Sequence, residues 1–195
     1  FTTQHTFAYF FQKDFIGSYN DFKQRIDEIQ SVINIKGLDE QKQNIINKLS
    51  YINIITSLDT FICDIILTKI IQDEESFNNF FNSIPPCKKK DEMTKLKEDN
   101  LVAQWEQKVI EYVMRTSYSN IDTIKDILKE LFKVSIIDTN GKMKKHFYYR
   151  NLLAHRNGRK KDGGYINITN EELKSLITDT QSIAKQIQTK IKPDH

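Results

Sequence analysis

Arg150, Asn151 and His155 stand close together in a run, Arg150-Asn151-Leu152-Leu153-Ala154-His155-Arg156-Asn157-Gly158-Arg159, that reads as a helix ending in a basic turn. An imidazole with an ordinary pKa of about 6.5 exchanges protons near neutrality. A guanidinium stays charged and offers a planar fork that fits phosphate. Together they can cleave an RNA phosphodiester without a metal. His155 would move the proton as general base or acid. Arg150 would hold the phosphate and offset charge building on its oxygens. Asn151 would orient either by a hydrogen bond. Each helical residue turns by about 100°, so with Arg150 at zero Asn151 lies near ~100° and His155 near ~140°. These two are i,i+4 neighbours and can touch. Leu152 and Leu153 supply an apolar side, and only the length of Arg150 brings it to the same point. Such residues can also be structural: Arg150 can cap a carbonyl or pair with a Glu, and His155 suits the negative end of a helix.

The surrounding charge favours the chemical reading. Lys142, Lys144, Lys145, Arg150, Arg156, Arg159, Lys160 and Lys161 fall in a stretch without Asp or Glu, while the whole chain, with 29 Lys and Arg against 26 Asp and Glu, carries only +3. Concentrated positive charge is the footprint of a phosphate backbone. Lys144, Lys145, Arg156, Arg159, Lys160 and Lys161 are the expected RNA contacts, binding phosphates without reading sequence. Phe147, Tyr148 and Tyr149 lie among them, where rings can stack on unpaired bases or serve the core. His146 is the one rival proton carrier nearby.

Arg150-Asn151 followed by His155, the Arg156-Asn157-Gly158 turn and a final amphipathic helix resemble the HEPN superfamily of all-helical domains. Its motif is R-x4-6-H, usually with Asn, Asp or His directly after the Arg. The likeness is sharpest over about residues 120–191. The resemblance implies a metal-independent endoribonuclease, used in toxin–antitoxin, anti-phage or RNA-processing systems and often active as a homodimer. It also implies an antitoxin or other defence-system partner protein. In the subgroup paired with a nucleotidyltransferase antitoxin, a Tyr stands two positions after the His. Here that position is Asn157, which argues against control by nucleotidylation of such a Tyr.

The elements needed to position the motif are helical. Six Gly and three Pro leave little room for the turns of an all-β fold. Phe15, Tyr19, Phe22, Ile26, Ile29 and Ile33 form one core-facing stripe, and Ile45, Leu49, Ile52, Ile55, Leu58, Ile62, Ile65 and Ile66 a second, central one. Leu101, Trp105, Val109 and Tyr112 predict a third helix, and Ile121, Ile124, Leu128 and Leu131 a fourth. Asn140-Gly141 marks a turn before the motif helix. Thr169-Asn170-Glu171-Glu172 reads as a capping box opening the last helix, and Tyr165–Ile168 as a short extended piece. Pro85-Pro86 and Lys88-Lys89-Lys90 predict irregular chain over Asp73–Lys97, with a basic linker around 83–92. The expected whole is an all-α, HEPN-like bundle, 1–195 as a single domain, with a short irregular or extended segment after the motif helix.

Other chemistries lack their signatures. Cys63 and Cys87 form no framework, Cys63 reads as a buried thiol, and a cytoplasmic setting is expected. His5, His146, His155 and His195 show no metal-ligand spacing, and Asp59 and Asp64 do not make a two-metal site. No metal and no cofactor are expected. No run reaches the ~18 apolar residues of a membrane span. RNA is the expected partner. A second reading keeps the fold and the basic patch without turnover: a catalytically silent module that binds RNA or a partner protein.

Overall fold

The computed structural model describes residues 14–191. His5 and His195, counted above in the search for metal spacing, lie outside them. The described residues form eight α-helices, one 3-10 turn and no strand: α1 (Phe15–Ile33), α2 (Glu40–Gln72), α3 (Glu74–Ser83), α4 (Lys88–Glu98), α5 (Val102–Arg115), α6 (Ile121–Phe132), α7 (Lys142–Arg156) and α8 (Asn170–Lys190). The 3-10 turn, Thr139–Gly141, leads directly into α7. The all-α expectation holds.

The organising element is α2. Asp39 opens it by accepting the Lys42 N–H at 2.8 Å, and its 33 residues span about 50 Å at 1.5 Å per residue. From Ile54 to Ile70 every residue but Thr56 is buried or half-buried, as expected of a helix enclosed by others. It packs against α1, α3, α5, α6, α7 and α8, and Ile54, Ile55, Leu58, Phe61, Ile62, Ile65 and Ile66 are fully buried.

Its first three turns depart from the expected stripe. Ile45 and Leu49 are 52% and 55% exposed. The side turned inward there carries Asn47, Ser50 and Tyr51 instead. Asn47 is buried because its amide has partners: it donates to the Ile168 carbonyl at 2.8 Å and to Asn170 Oδ1 at 3.1 Å. A hydrogen-bonded Asn can occupy a core position, and a stripe drawn from apolar residues alone starts on the wrong side.

Asp73–Lys97 is not irregular, and the expected linker over 83–92 shrinks to residues 84–87. Asp73 caps α3 through the Glu75 N–H and the Ser76 hydroxyl, and Cys87 caps α4. The lysine triplet opens α4, despite the unfavourable charge at a helix N-terminus. Tertiary interactions outweigh that cost. Lys90 Nζ reaches the Asn82 carbonyl at 2.9 Å and also bonds the Ile84 carbonyl, closing the Pro-Pro corner. Phe77 and Phe81 meet Trp105 edge to face at 5.0 and 5.4 Å, and Lys97 lies 4.6 Å from the Trp105 ring centroid.

Helices α6 and α8 follow their sequence patterns closely. Ile121, Ile124, Leu128 and Leu131 are all buried. Thr169 and Glu172 form the capping box, with the Glu172 N–H donating to Thr169 Oγ1 at 3.2 Å and the Thr169 N–H to Glu172 Oε2 at 3.1 Å. A buried chain of polar contacts joins α2, α7 and α8. Tyr51 OH and His146 Nδ1 are 2.7 Å apart, and His146 Nε2 is 3.0 Å from Asp179 Oδ2. With Nε2–H donating to Asp179, Nδ1 accepts the Tyr51 proton, so a neutral imidazole satisfies both partners.

Burial holds the His146 imidazole below its ordinary pKa, against the opposing pull of Asp179. The unfolded chain therefore takes up this proton first as pH falls below about 6.5, and stability is lost from there down to the lower folded value. His146→Phe removes that dependence and, at about pH 7.5, costs on the order of 1–3 kcal/mol by leaving the buried Tyr51 hydroxyl without its partner, while Asp179 keeps Lys142 and Ser175. Urea unfolding across this pH range checks it. Parallel pH profiles for parent and variant would contradict the assignment.

Candidate active site

The phase of α7 decides which side of each motif residue meets solvent. Met143, His146, Phe147, Leu152 and Leu153 are buried against the bundle. On a 100° wheel Arg150 falls among Met143, His146, Phe147 and Leu153, so its stem points inward. The residue is half-buried, and its Nε is covered without a hydrogen-bond partner. One Nη donates to Asn151 Oδ1 at 3.2 Å. Asn151 and His155 are exposed on the opposite side, in a stripe Lys144–Tyr148–Asn151–His155 with spacings of four, three and four. His155 follows Asn151 by one turn, about 6 Å along the axis. Asn151 thus joins the two: bonded to Arg150 and sharing the exposed side of His155. Ala154, also exposed, leaves this surface open.

Sequence reasoning set aside a residue that belongs to the surroundings. Asp59 of α2, weighed only as a metal ligand, accepts the backbone N–H of Tyr118. Burial pushes its carboxyl above the ordinary range, while that hydrogen bond and the charge of Arg150 draw it back. An acid so far from the motif in sequence gives no local signal. His146 is removed as a rival proton carrier, being buried and held by Tyr51 and Asp179. Among the described residues no group of three His, Cys, Asp or Glu is placed to hold a metal ion.

The acid-free stretch of sequence is not acid-free in space. Lys144 pairs with Asp122 of α6 at 2.7 Å, and Lys142 with Asp179 of α8 at 3.3 Å. Lys145 Nζ lies 5.1 Å from the Tyr149 ring centroid. The upstream lysines are therefore partly engaged, and Lys144 is the RNA contact least supported by geometry. Phe147 is buried and Tyr149 packs near Tyr51, which leaves Tyr148 as the exposed ring of the three.

The positive charge that remains gathers after the helix. Arg156, Arg159, Lys160 and Lys161, with Gly163, line a cavity of about 430 Å³. A larger cavity of about 860 Å³ lies where the N-termini of α2 and α8 meet. Its lining includes Asp39, Glu40 and several amides but no Lys or Arg, so it lacks the charge to hold a phosphate. The cationic cavity exists because α7 stops abruptly: Asn157 and Gly158 are both left-handed, at φ 49° and 80°, and the Gly158 N–H returns to the Leu152 carbonyl at 2.9 Å. A Cβ on Gly158 would stand 3.3 Å from Leu153 Cδ2 and 3.7 Å from the Ile166 carbonyl oxygen.

Among the described residues no helix is long and apolar enough to cross a membrane. Residues 20–193 match the family model described as RiboL-PSP-HEPN. No curated protein and no solved structure matches the chain.

Gly158→Ala is expected to destabilise the fold by about 1–2 kcal/mol, the cost of a left-handed L-residue, with added crowding at Leu153. Asn157→Gly, which relieves the same conformation, is expected to be neutral or slightly stabilising. Thermal melts of the two variants compare these directly. A fully stable Gly158→Ala chain would mean that the turn does not hold this geometry.

Proposed function

The chain belongs to the RiboL-PSP-HEPN family, and from that premise we propose that it is a metal-independent endoribonuclease acting on single-stranded or loop RNA. The observation that carries this reading is the exposed pair Asn151–His155, with Arg150 bonded to Asn151, at the helix end that opens into a four-cation cavity. In the proposed reaction the 2′-OH of one nucleotide attacks its own 3′-phosphate. The bond to the 5′-oxygen of the next nucleotide breaks, leaving a 2′,3′-cyclic phosphate and a free 5′-OH. One imidazole takes the 2′-OH proton and one supplies a proton to the leaving oxygen. The guanidinium offsets charge on the phosphoryl oxygens. Arg156, Arg159, Lys160 and Lys161 hold the flanking backbone.

The active unit in this reading is a homodimer with two α7 helices facing each other. One chain supplies one Arg and one His, too few to hold the phosphate and provide both base and acid. Ala154 permits close approach, and two-fold pairing is the commonest oligomeric arrangement. A place in toxin–antitoxin, anti-phage or RNA-processing systems follows from the activity, with a neutralising or defence-system protein as partner. Asn157 stands where nucleotidylation control would need a Tyr.

A binding module without turnover is the second reading. It draws on the covered Nε of Arg150, which leaves the outer guanidinium nitrogens to meet a phosphate.

His155→Ala is expected to lower cleavage of total RNA in EDTA by on the order of 10²–10⁴ while keeping the helical fold, and Arg150→Ala to lower it comparably. Mixing the two inactive chains is expected to leave activity far below the parent's, because a mixed dimer retains one Arg and one His and lacks the second imidazole. Full activity in a folded His155→Ala chain would overturn the mechanism. Complete cleavage at concentrations where light scattering shows only monomers would overturn the dimer.

A further inference from the structure

We propose that the hairpin after α7 is a nucleotide subsite for single-stranded RNA, in which the four cations hold the backbone phosphate next to the scissile one and Tyr165 stacks on the base. The subsite rests on the ribonuclease reading for the identity of the polymer, but its geometry stands apart from the motif.

The hairpin has one antiparallel bridge, Arg159 with Tyr165. The Lys160 N–H donates to the Gly164 carbonyl at 2.7 Å and the Ile166 N–H to the Gly158 carbonyl at 2.9 Å. These bonds flank the bridge, so Arg159 and Tyr165 form the narrow, non-hydrogen-bonded kind of pair. In such a pair the Cα atoms lie about 4.5 Å apart and the side chains share one face. Arg159 lines the cationic cavity. The Tyr165 ring beside it is 63% exposed.

That exposure is imposed by the chain. Ile166 and Ile168 are buried, at 3% and 1%, and alternation along an extended segment then turns Tyr165 and Asn167 outward. Gly163 and Gly164 precede the ring without side chains that could cover it. Four cations beside an outward aromatic ring match the two halves of one nucleotide, a charged phosphate and a flat base. A duplex hides its base faces within the stack, whereas an unpaired strand presents them. An acidic protein surface would use the cations and leave the ring without a role. The hairpin begins three residues after His155, so a nucleotide held there adjoins the one being cut.

The test measures equilibrium binding to the full chain carrying His155→Ala, which blocks turnover. The probes are a labelled single-stranded RNA oligomer and its fully paired duplex, with poly-glutamate as competitor. Adding Tyr165→Ala is expected to weaken single-strand binding by about 5- to 150-fold, leaving duplex binding and the salt dependence unchanged. Tyr165→Phe is expected to keep the affinity, and Tyr165→Trp to bind with RNA-induced quenching of the new indole. Lys160→Ala with Lys161→Ala is expected to flatten the salt dependence by about one unit of log–log slope for each phosphate that is no longer held. Unchanged affinity in Tyr165→Ala would overturn the proposal. So would equal losses in Tyr165→Ala and Tyr165→Phe, loss only in Tyr148→Ala, or poly-glutamate competing as well as RNA. Cleavage by the His155-containing chain, followed in parallel, separates the two readings. Tyr165-dependent binding without cleavage removes the enzyme and keeps the subsite. Cleavage with Tyr165-independent binding does the reverse.

Discussion

Everything at the candidate site depends on the angle at which α7 is held. A register change of one residue turns a helix by about 100°, enough to bury His155 or to turn Arg150 out to solvent. Two kinds of interaction set the phase. Met143, Phe147 and Leu153 are packed inward, and the Tyr51–His146–Asp179 chain fixes α7 to α2 and α8 at one point. Apolar packing alone tolerates small rotations. A hydrogen-bonded chain does not, because slipping it strands the buried phenol of Tyr51. The half-buried position of Arg150 follows from the same phase: its stem lies in the core interface, and Asn151 holds its outer end at the surface.

Charge along α7 is graded by the fold more than by the sequence. Asp122 and Asp179 come from other helices to meet Lys144 and Lys142, which mutes the first half of the helix. The four cations after His155 line one cavity. Under the proposed function, an RNA strand would be held most firmly on the hairpin side of the motif. Helix termination produces the gradient: Asn157 and Gly158 end α7 one residue after Arg156 and fold the chain back, so that Arg156, Arg159, Lys160 and Lys161 converge.

Sequence order reveals what is local. The α6 stripe and the Thr169–Glu172 capping box depend on residues three or four apart, and both are found where the pattern puts them. The Arg150–Asn151–His155 constellation is equally local. What the sequence hides is set by distant partners. Asn47 enters the core because a carbonyl at Ile168 waits for it. Lys90 occupies the first turn of α4, an unfavourable place for its charge, because it closes the corner at Ile84. Asp59 approaches Arg150 only through the packing of α2. Tyr165 was legible as part of a short extended piece, but its pairing with Arg159 emerges only when the hairpin closes.

The central claim is that His155 and Arg150 serve a transesterification that uses the RNA's own 2′-OH. The ends of the cleaved fragments report on this most directly. Incubated with RNA in EDTA, the chain is predicted to leave 2′,3′-cyclic phosphate and 5′-OH termini, and to spare an oligomer whose 2′-OH groups are replaced by hydrogen. Fragments ending in 3′-OH and 5′-phosphate, or cutting of the 2′-deoxy oligomer, would contradict it.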